Sequence, residues 1–370
     1  MNSSHSNRLM PYHYYVQDSF SNFWRNVGNL TGRRFLFIFG LGFDPRCVPA
    51  LQHMVKLYAS LDNGNNAELY TVCLRFTNVF DKCLQENKTY TNECLDAVRA
   101  ITREVKDPSS RHCELEVNIF PDRKQLTGDR RLVEEFEDAI APELPHFTDI
   151  VVDISAFPRT LMYGLVGRLW KNRSKGQNII ALLSDADFRV DVVESDYTDP
   201  SYMLGGREPD AGAKLVWVPV MGGQPERFRK IHNALKPSDI LPIVPFPTPD
   251  PRSGDETLLK ARRDFFDGWG VPFGNVLYAS AEIPYSVFRK IREIVDDYSE
   301  FDKLELVVSA LSGRSVSLGV LLAALHFDLP VYHSQPATYK MDRSGRRRLW
   351  DHLESIEPIA YYLDGELYGE

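Results

Sequence analysis

The chain has 370 residues, 43% of them hydrophobic, 25% charged and 12% aromatic, and carries a formal net charge of -8. That length exceeds the usual reach of one hydrophobic core and implies two domains or lobes, while the composition excludes general disorder and a coiled coil. The acidic balance argues against nucleic acid as the main partner, because phosphate contacts need a surplus of Lys and Arg.

No stretch approaches the roughly 20 apolar residues that cross a bilayer. The segment Met1–Leu9 is rich in Ser and Asn and lacks an apolar core, so no signal peptide is expected and the chain reads as soluble and cytoplasmic. The five cysteines (Cys47, Cys73, Cys83, Cys94, Cys113) include no CxxC pair. Reduced thiols are expected, with no metal site and no cofactor.

In chain order, residues 1–33 form an aromatic arm whose Phe20, Phe23 and Trp24 fit one face of a short helix. Residues 34–187 read as a first Rossmann-like unit. The apolar run Arg34–Phe39 predicts a buried strand, and Gly40-Leu41-Gly42-Phe43-Asp44-Pro45-Arg46 predicts a tight turn with Pro starting a helix over Pro45–Ala59. Strands at Ala67–Phe76 and Glu114–Phe120 and helices at Thr91–Val105 and Asp129–Ala141 follow. Asp149–Asp153 then reads as a buried strand, Ser155–Arg159 as a loop, and Leu161, Leu165 and Leu169 as one helix face, with a further strand at Asn178–Ser184.

Residues 188–213, rich in Asp, Gly, Pro and Ser, read as a linker. The order then restarts over 214–345. Lys214–Val220 is a strand, Gly222-Gly223-Gln224-Pro225-Glu226-Arg227 a second Gly/Pro helix start, and Ile240–Pro245 a strand. Helices follow at Glu256–Phe266 and Tyr285–Tyr298, then a strand at Leu304–Ala310, the loop Leu311–Ser315, the apolar helix Val316–His326 and a closing strand at Pro330–His333. Residues 346–370 read as a helix around Trp350–Ile356 and a hairpin turning at Asp364-Gly365. The expected fold is therefore α/β, two tandem Rossmann-like units with mainly parallel sheets, plus an N-terminal arm and a C-terminal hairpin.

In such sheets ligands sit beyond the carboxyl ends of the strands, where helix N-termini present free N–H groups. The expected ligand-binding set is Gly40, Gly42, Arg46, Ser155, Arg159, Gly222, Gly223, Arg227, Ser309, Ser312, Gly313, Arg314 and Ser315. Small residues admit a ligand close to the backbone, serines offer hydroxyls and arginines fork onto phosphate oxygens. A nucleotide or other anionic small molecule is the expected partner. Pro45 stands where a GxGxxG fingerprint needs its third Gly, so NAD or FAD is not expected, and neither a Walker A lysine, HExxH nor GxSxG occurs. Asp44 and Asp153 are the candidate catalytic bases, with helix capping as the plainer role for both. Cys47, beside Arg46, is a candidate low-pKa thiol, with a buried apolar role as the plainer alternative.

The loop Leu311-Ser312-Gly313-Arg314-Ser315, followed by Leu318-Gly319-Val320-Leu321-Leu322-Ala323-Ala324, resembles CRISPR-associated Rossmann-fold (CARF) sensor domains. The Asp153–Arg159 loop looks like its first-half counterpart. The stretch Ser334-Gln335-Pro336-Ala337-Thr338-Tyr339, with Asp342 and Ser344, is similar to two-lobed bacterial proteins of the same pattern. The resemblance spans 34–345 in topology and only short loops in sequence, and Leu-Ser-Gly-Arg stands where those domains carry Thr-Gly-Gly-Thr. It implies a nucleotide-like ligand sensor or scaffold subunit in a prokaryotic defence or stress system, acting with an effector on another chain or as a homo-oligomer. The other two readings are a purely structural subunit docking through its arm and hairpin, and a nucleotide-processing hydrolase using Asp44 or Asp153.

Overall fold

The computed structural model describes residues 17–27, 30–61, 66–77, 82–104, 111–118, 140, 142–185, 192–203, 207–222, 224–301 and 303–366. The first unit runs β1 (Gln17–Ser19), α1 (Phe20–Val27), β2 (Arg34–Leu41), α2 (Pro49–Leu61), β3 (Glu68–Thr77), α3 (Lys82–Glu104), β4 (Arg111–Asn118), β5 (Asp149–Asp153), α4 (Arg159–Asn172) and β6 (Asn178–Leu183). Two short strands, β7 (Val192–Tyr197) and β8 (Ser201–Tyr202), follow. The second unit runs β9 (Lys214–Val220), α5 (Pro225–Leu235), β10 (Asp239–Ile240), β11 (Ile243–Pro245), α6 (Ser253–Arg262), β12 (Leu277–Ala279), α7 (Pro284–Tyr298), β13 (Leu304–Ala310) and α8 (Arg314–Phe327). The chain closes with β14 (Tyr332–His333), β15 (Pro336–Met341), α9 (Arg343–Asp351) and β16 (Ile359–Asp364).

The parallel strands of the first sheet lie in the order β4-β3-β2-β5-β6. The second sheet repeats the plan. Strand β9 is central, β10/β11 and then β12 lie to one side, β13 lies to the other, and Val331 bridges Val308 in parallel beyond it. In both units the chain starts centrally, adds two strands outward, then crosses to the far side of its first strand. That is the Rossmann order, and its switch point falls between β2 and β5 in one unit and between β9 and β13 in the other.

Alternation along the strands explains why each sheet is covered on both faces. In β2, Phe35, Phe37 and Phe39 pack with Phe23, Met54 and Val98 of α1–α3. Leu36 and Ile38 face the opposite way, into one core shared with α4, α7, α8 and Val216, Val218 and Val220 of β9. On the outer face of the second sheet Trp217 meets Phe228 and Phe265. Five layers result, and the three helices in the middle belong to both units. Helix α8 is buried from Ser315 to Ala324, as its nearly unbroken apolar run requires.

Several expectations change. The segment read as a linker holds β7, antiparallel to β15, and β8, antiparallel to β14. The C-terminal segment supplies β16, which lies antiparallel to β6 within the first sheet and carries β1 on its other edge. The turn expected at Asp364-Gly365 ends the described residues, and the second arm of that hairpin lies outside them. The helix expected over Asp129–Ala141 and the Tyr12, Tyr14 and Tyr15 part of the arm also lie outside them. Among the described residues no helix is long and apolar enough to cross a membrane.

Helix α8 approaches α7 through Gly319, where an added Cβ would lie 2.2 Å from the Pro284 carbonyl oxygen and 2.8 Å from the Val287 Cβ. Neither neighbour is the flexible end of a side chain. Gly319→Ala is therefore expected to lower unfolding stability by about 1–3 kcal/mol, measured by urea denaturation. An unchanged midpoint would mean that the two helices separate without cost.

Candidate functional site

The loops at the two switch points meet through α4 and α8. Arg159, the first residue of α4, donates from Nη2 to the carbonyl of Ser312 in the loop before α8 at 2.7 Å. One turn on, the Tyr163 hydroxyl donates to the Ser317 carbonyl at 2.7 Å, and further along Gly167 faces Leu325. The contacts advance together, so the helices run parallel with both N-termini at one end. Pro158 and Gly313, which precede them, provide no side-chain cap. Two helix N-termini and two positive dipole ends therefore lie side by side.

Arginines crowd the same end. Arg46 wraps its own turn, donating to Asp44 from Nε at 3.0 Å and from Nη2 at 2.7 Å, while Asp44 also accepts from the Arg46 backbone N–H. Arg314, the first residue of α8, lies 3.7 Å from the same Asp44 carboxylate and so links the second unit to the first. Arg159 donates from Nη1 to Glu194 of β7 at 2.8 Å, and Arg227 lies 3.6 Å from that carboxylate. Asp185, exposed beyond β6, lies 3.5 Å from Arg46.

The charges respond as this crowding dictates. Burial opposes ionisation of Asp44, yet Arg46 and Arg314 outweigh it and hold the carboxyl below its usual range. Burial likewise opposes Glu194, and Arg159 and Arg227 overcome it. Arg314 moves the other way, down to about 10, first through burial and then through repulsion by Arg46. It is a cation whose local field is already too positive. Its Nε has no hydrogen-bond partner among the described residues.

Asp153 ends β5 within reach of this field. Its Oδ1 accepts from the Ser155 N–H at 3.0 Å and from the Ser155 hydroxyl, which in turn accepts from the Ser184 N–H at 2.7 Å. Its Oδ2 and the Ser184 Oγ are buried without a partner among the described residues, as is Gln335 Nε2.

The structure thus brings together Asp44, Arg46, Asp153, Arg159, Ser312, Gly313 and Arg314. Other expected residues are engaged elsewhere. Arg227 is fully buried, donating to His333 and the Ala310 carbonyl. Ser309 accepts from the Trp217 indole and donates to the Tyr332 carbonyl, Ser315 donates to the Glu282 carbonyl, and Ser155 serves the Asp153 turn. A Cβ at Gly40 would strike Phe76 and Phe157, and one at Gly222 would lie 1.9 Å from the Leu311 carbonyl oxygen, so both glycines serve close packing. Gly42 lies beside Phe76, and Gly223 is outside the described residues. Cys47 is buried against Cys94, and that contact together with burial pushes its thiol well up, leaving no reactive thiolate. Sequence reasoning missed Glu194, Ser184, Asp185 and Gln335. No sustained periodicity around Glu194 marked its strand.

No protein-family model matches the chain, and no curated protein matches it. Solved structures similar to it include one described as a sarcosine dimethylglycine methyltransferase from Galdieria sulphuraria. It shows 8% identity and a TM-score of 0.25 over 93% of this chain and 83% of that one. A phosphoethanolamine N-methyltransferase from Haemonchus contortus shows 9% identity and a TM-score of 0.23, over 92% of this chain and 50% of that one. One described as a UDP-N-acetylglucosamine 2-epimerase from Listeria monocytogenes shows 11% identity and a TM-score of 0.23, over 81% of this chain and 78% of that one.

Burial pushes the Asp153 carboxyl from 3.8 up to about 7, against the lowering effect of its Ser155 hydrogen bonds. Between those values the unfolded chain releases this proton while the folded chain keeps it, so stability falls as pH rises across the window. Asp153→Asn is expected to remove that decline, by roughly 4 kcal/mol between pH 4 and pH 7, in urea unfolding at stepped pH. Parallel pH profiles for the two proteins would show that Asp153 is ionised throughout.

Proposed function

We propose that the chain is a sensor or regulatory subunit for an anionic, nucleotide-like small molecule, bound where Arg46, Arg159 and Arg314 meet at the paired ends of α4 and α8. The observation that carries this reading is the parallel contact of two uncapped helices that both begin with Arg. Like dipole ends repel, and arginines at the same place add to the repulsion. A phosphate relieves both, since N–H groups and guanidinium forks suit its oxygens.

Regulation is favoured over turnover by the occupants of these arginines. Asp44 is held ionised and fully engaged by Arg46, which suits a clasp and not a base. Glu194 sits on the β7–β15 ribbon, so an incoming anion that takes Arg159 loosens that ribbon and leaves Glu194 to Arg227, a change a partner chain can read. The effector then lies on another chain, and the setting implied by the CARF resemblance is a prokaryotic defence or stress system.

Isothermal titration at low ionic strength with pyrophosphate, AMP and cyclic oligonucleotides tests the reading. Saturable binding is expected with at least one, weakened about tenfold or more by Arg314→Gln, the scale of one charge-assisted hydrogen bond. Added salt should weaken it further. Silence with all of them would overturn the proposal and leave the arginines as a structural clasp.

A further inference from the structure

Two polar side chains beside the arginine cluster each keep one atom that the fold does not use. Asp153 and Ser184 follow the ends of adjacent parallel strands, β5 and β6, and both are fully buried. Ser155 ties them together, binding Asp153 Oδ1 on one side and the Ser184 N–H on the other. That leaves Asp153 Oδ2 and Ser184 Oγ, one from each residue, enclosed and unpartnered among the described residues. Folded proteins rarely leave such atoms unmatched, and these two belong to residues bridged by one Ser155 side chain.

The chemistry of the pair selects the group that would match them. A carboxyl oxygen accepts from a hydroxyl when ionised and donates to one when it keeps its proton, while a serine hydroxyl both donates and accepts. A ligand hydroxyl satisfies both atoms at once. Arg314, which with Asp44 lies close enough to influence Asp153, supplies the adjoining anion contact. We infer that Asp153 and Ser184 form a hydroxyl-binding subsite next to the arginine cluster, so that the ligand is a phosphorylated sugar of the ribonucleotide class and not a bare anion. The inference rests on the anion-binding reading above. Both atoms are buried, so the sugar reaches them only as neighbouring side chains move.

The test compares pyrophosphate, AMP, 2′-deoxy-AMP and 3′-deoxy-AMP by isothermal titration on the full chain. AMP is expected to bind about tenfold or more tightly than at least one deoxy form, because a site built to bind a hydroxyl rejects the analogue lacking it. Asp153→Asn and Ser184→Ala should each bring the ribo and deoxy forms within about twofold, and Ser184→Ala, which changes no charge, should leave pyrophosphate binding unchanged. Circular dichroism checks that each variant is folded, and Ser184→Ala, the smaller change, stands in should Asp153→Asn fail to fold. Equal binding of all three nucleotides, or discrimination that survives both substitutions, would overturn the inference and assign the two atoms to an ordered water. In that case pyrophosphate binding that still depends on Arg314 leaves the anion site standing. Silence from every probe would remove both.

Discussion

Parallel contact between α4 and α8 is the constraint from which the rest of the site follows. Each helix must follow its own switch-point strand, β5 or β13, and each must bury its apolar face between the two sheets. Once both are packed in the same layer, their N-termini cannot avoid sharing an end. The fold therefore concentrates positive potential at one place in a chain whose net charge is -8. Asp44 and Glu194 offset it only in part. Arg314 is lowered by burial and, after it, by Arg46.

The same packing limits what can move. Tandem domains ordinarily rotate about a small polar interface, but here the interface is a continuous apolar core containing residues of both sheets. It is reinforced where the Tyr285 hydroxyl of α7 donates to the Tyr362 carbonyl of β16. Hinge closure would break that core. Movement is cheaper in the polar layer above it, where Glu194 and Asp44 hold arginines through hydrogen bonds that another anion can replace. The β7–β15 ribbon is the natural outlet, since it is a separate two-stranded element and α9 follows directly from β15.

How much of this was legible in the sequence depended on burial. Strands β2, β5, β9 and β13 are covered on both faces, so Arg34–Phe39, Asp149–Asp153, Lys214–Val220 and Leu304–Ala310 read as unbroken apolar runs and were placed correctly. The Gly/Pro turns after them were equally plain, because tight turns demand particular residues. Strands β7, β8 and β16 left little trace. They owe their existence to antiparallel partners far away in sequence, and Asp, Gly and Pro around β7 and β8 speak for a loop. Glu194 was invisible for that reason. Equivalent loops also carried unequal duties. Arg46, Arg159 and Arg314 share the site, whereas Arg227, which closes the matching Gly/Pro turn one residue later after its Pro, is buried against His333. Spacing cannot reveal which arginine the neighbouring ribbon covers.

The internal carboxylates also bear on which anions matter. A tethered Glu194 competes with any free ligand at an effective concentration set by its strand, in the millimolar range for short flexible tethers and higher for a rigid one. A lone carboxylate or a halide offers Arg159 no more than Glu194 already does, so it gains nothing by exchange. A phosphate brings a second charge and more acceptor oxygens, which engage Arg314 and the helix N-termini as well. On the proposed reading a hydroxyl attached to that phosphate gains further from Asp153 Oδ2 and Ser184 Oγ, which have no partner among the described residues. Selectivity then arises from the difference between what the protein supplies to itself and what it leaves open. On the proposed reading the occupied arginines set the threshold, and Asp153 Oδ2 and Ser184 Oγ select what crosses it.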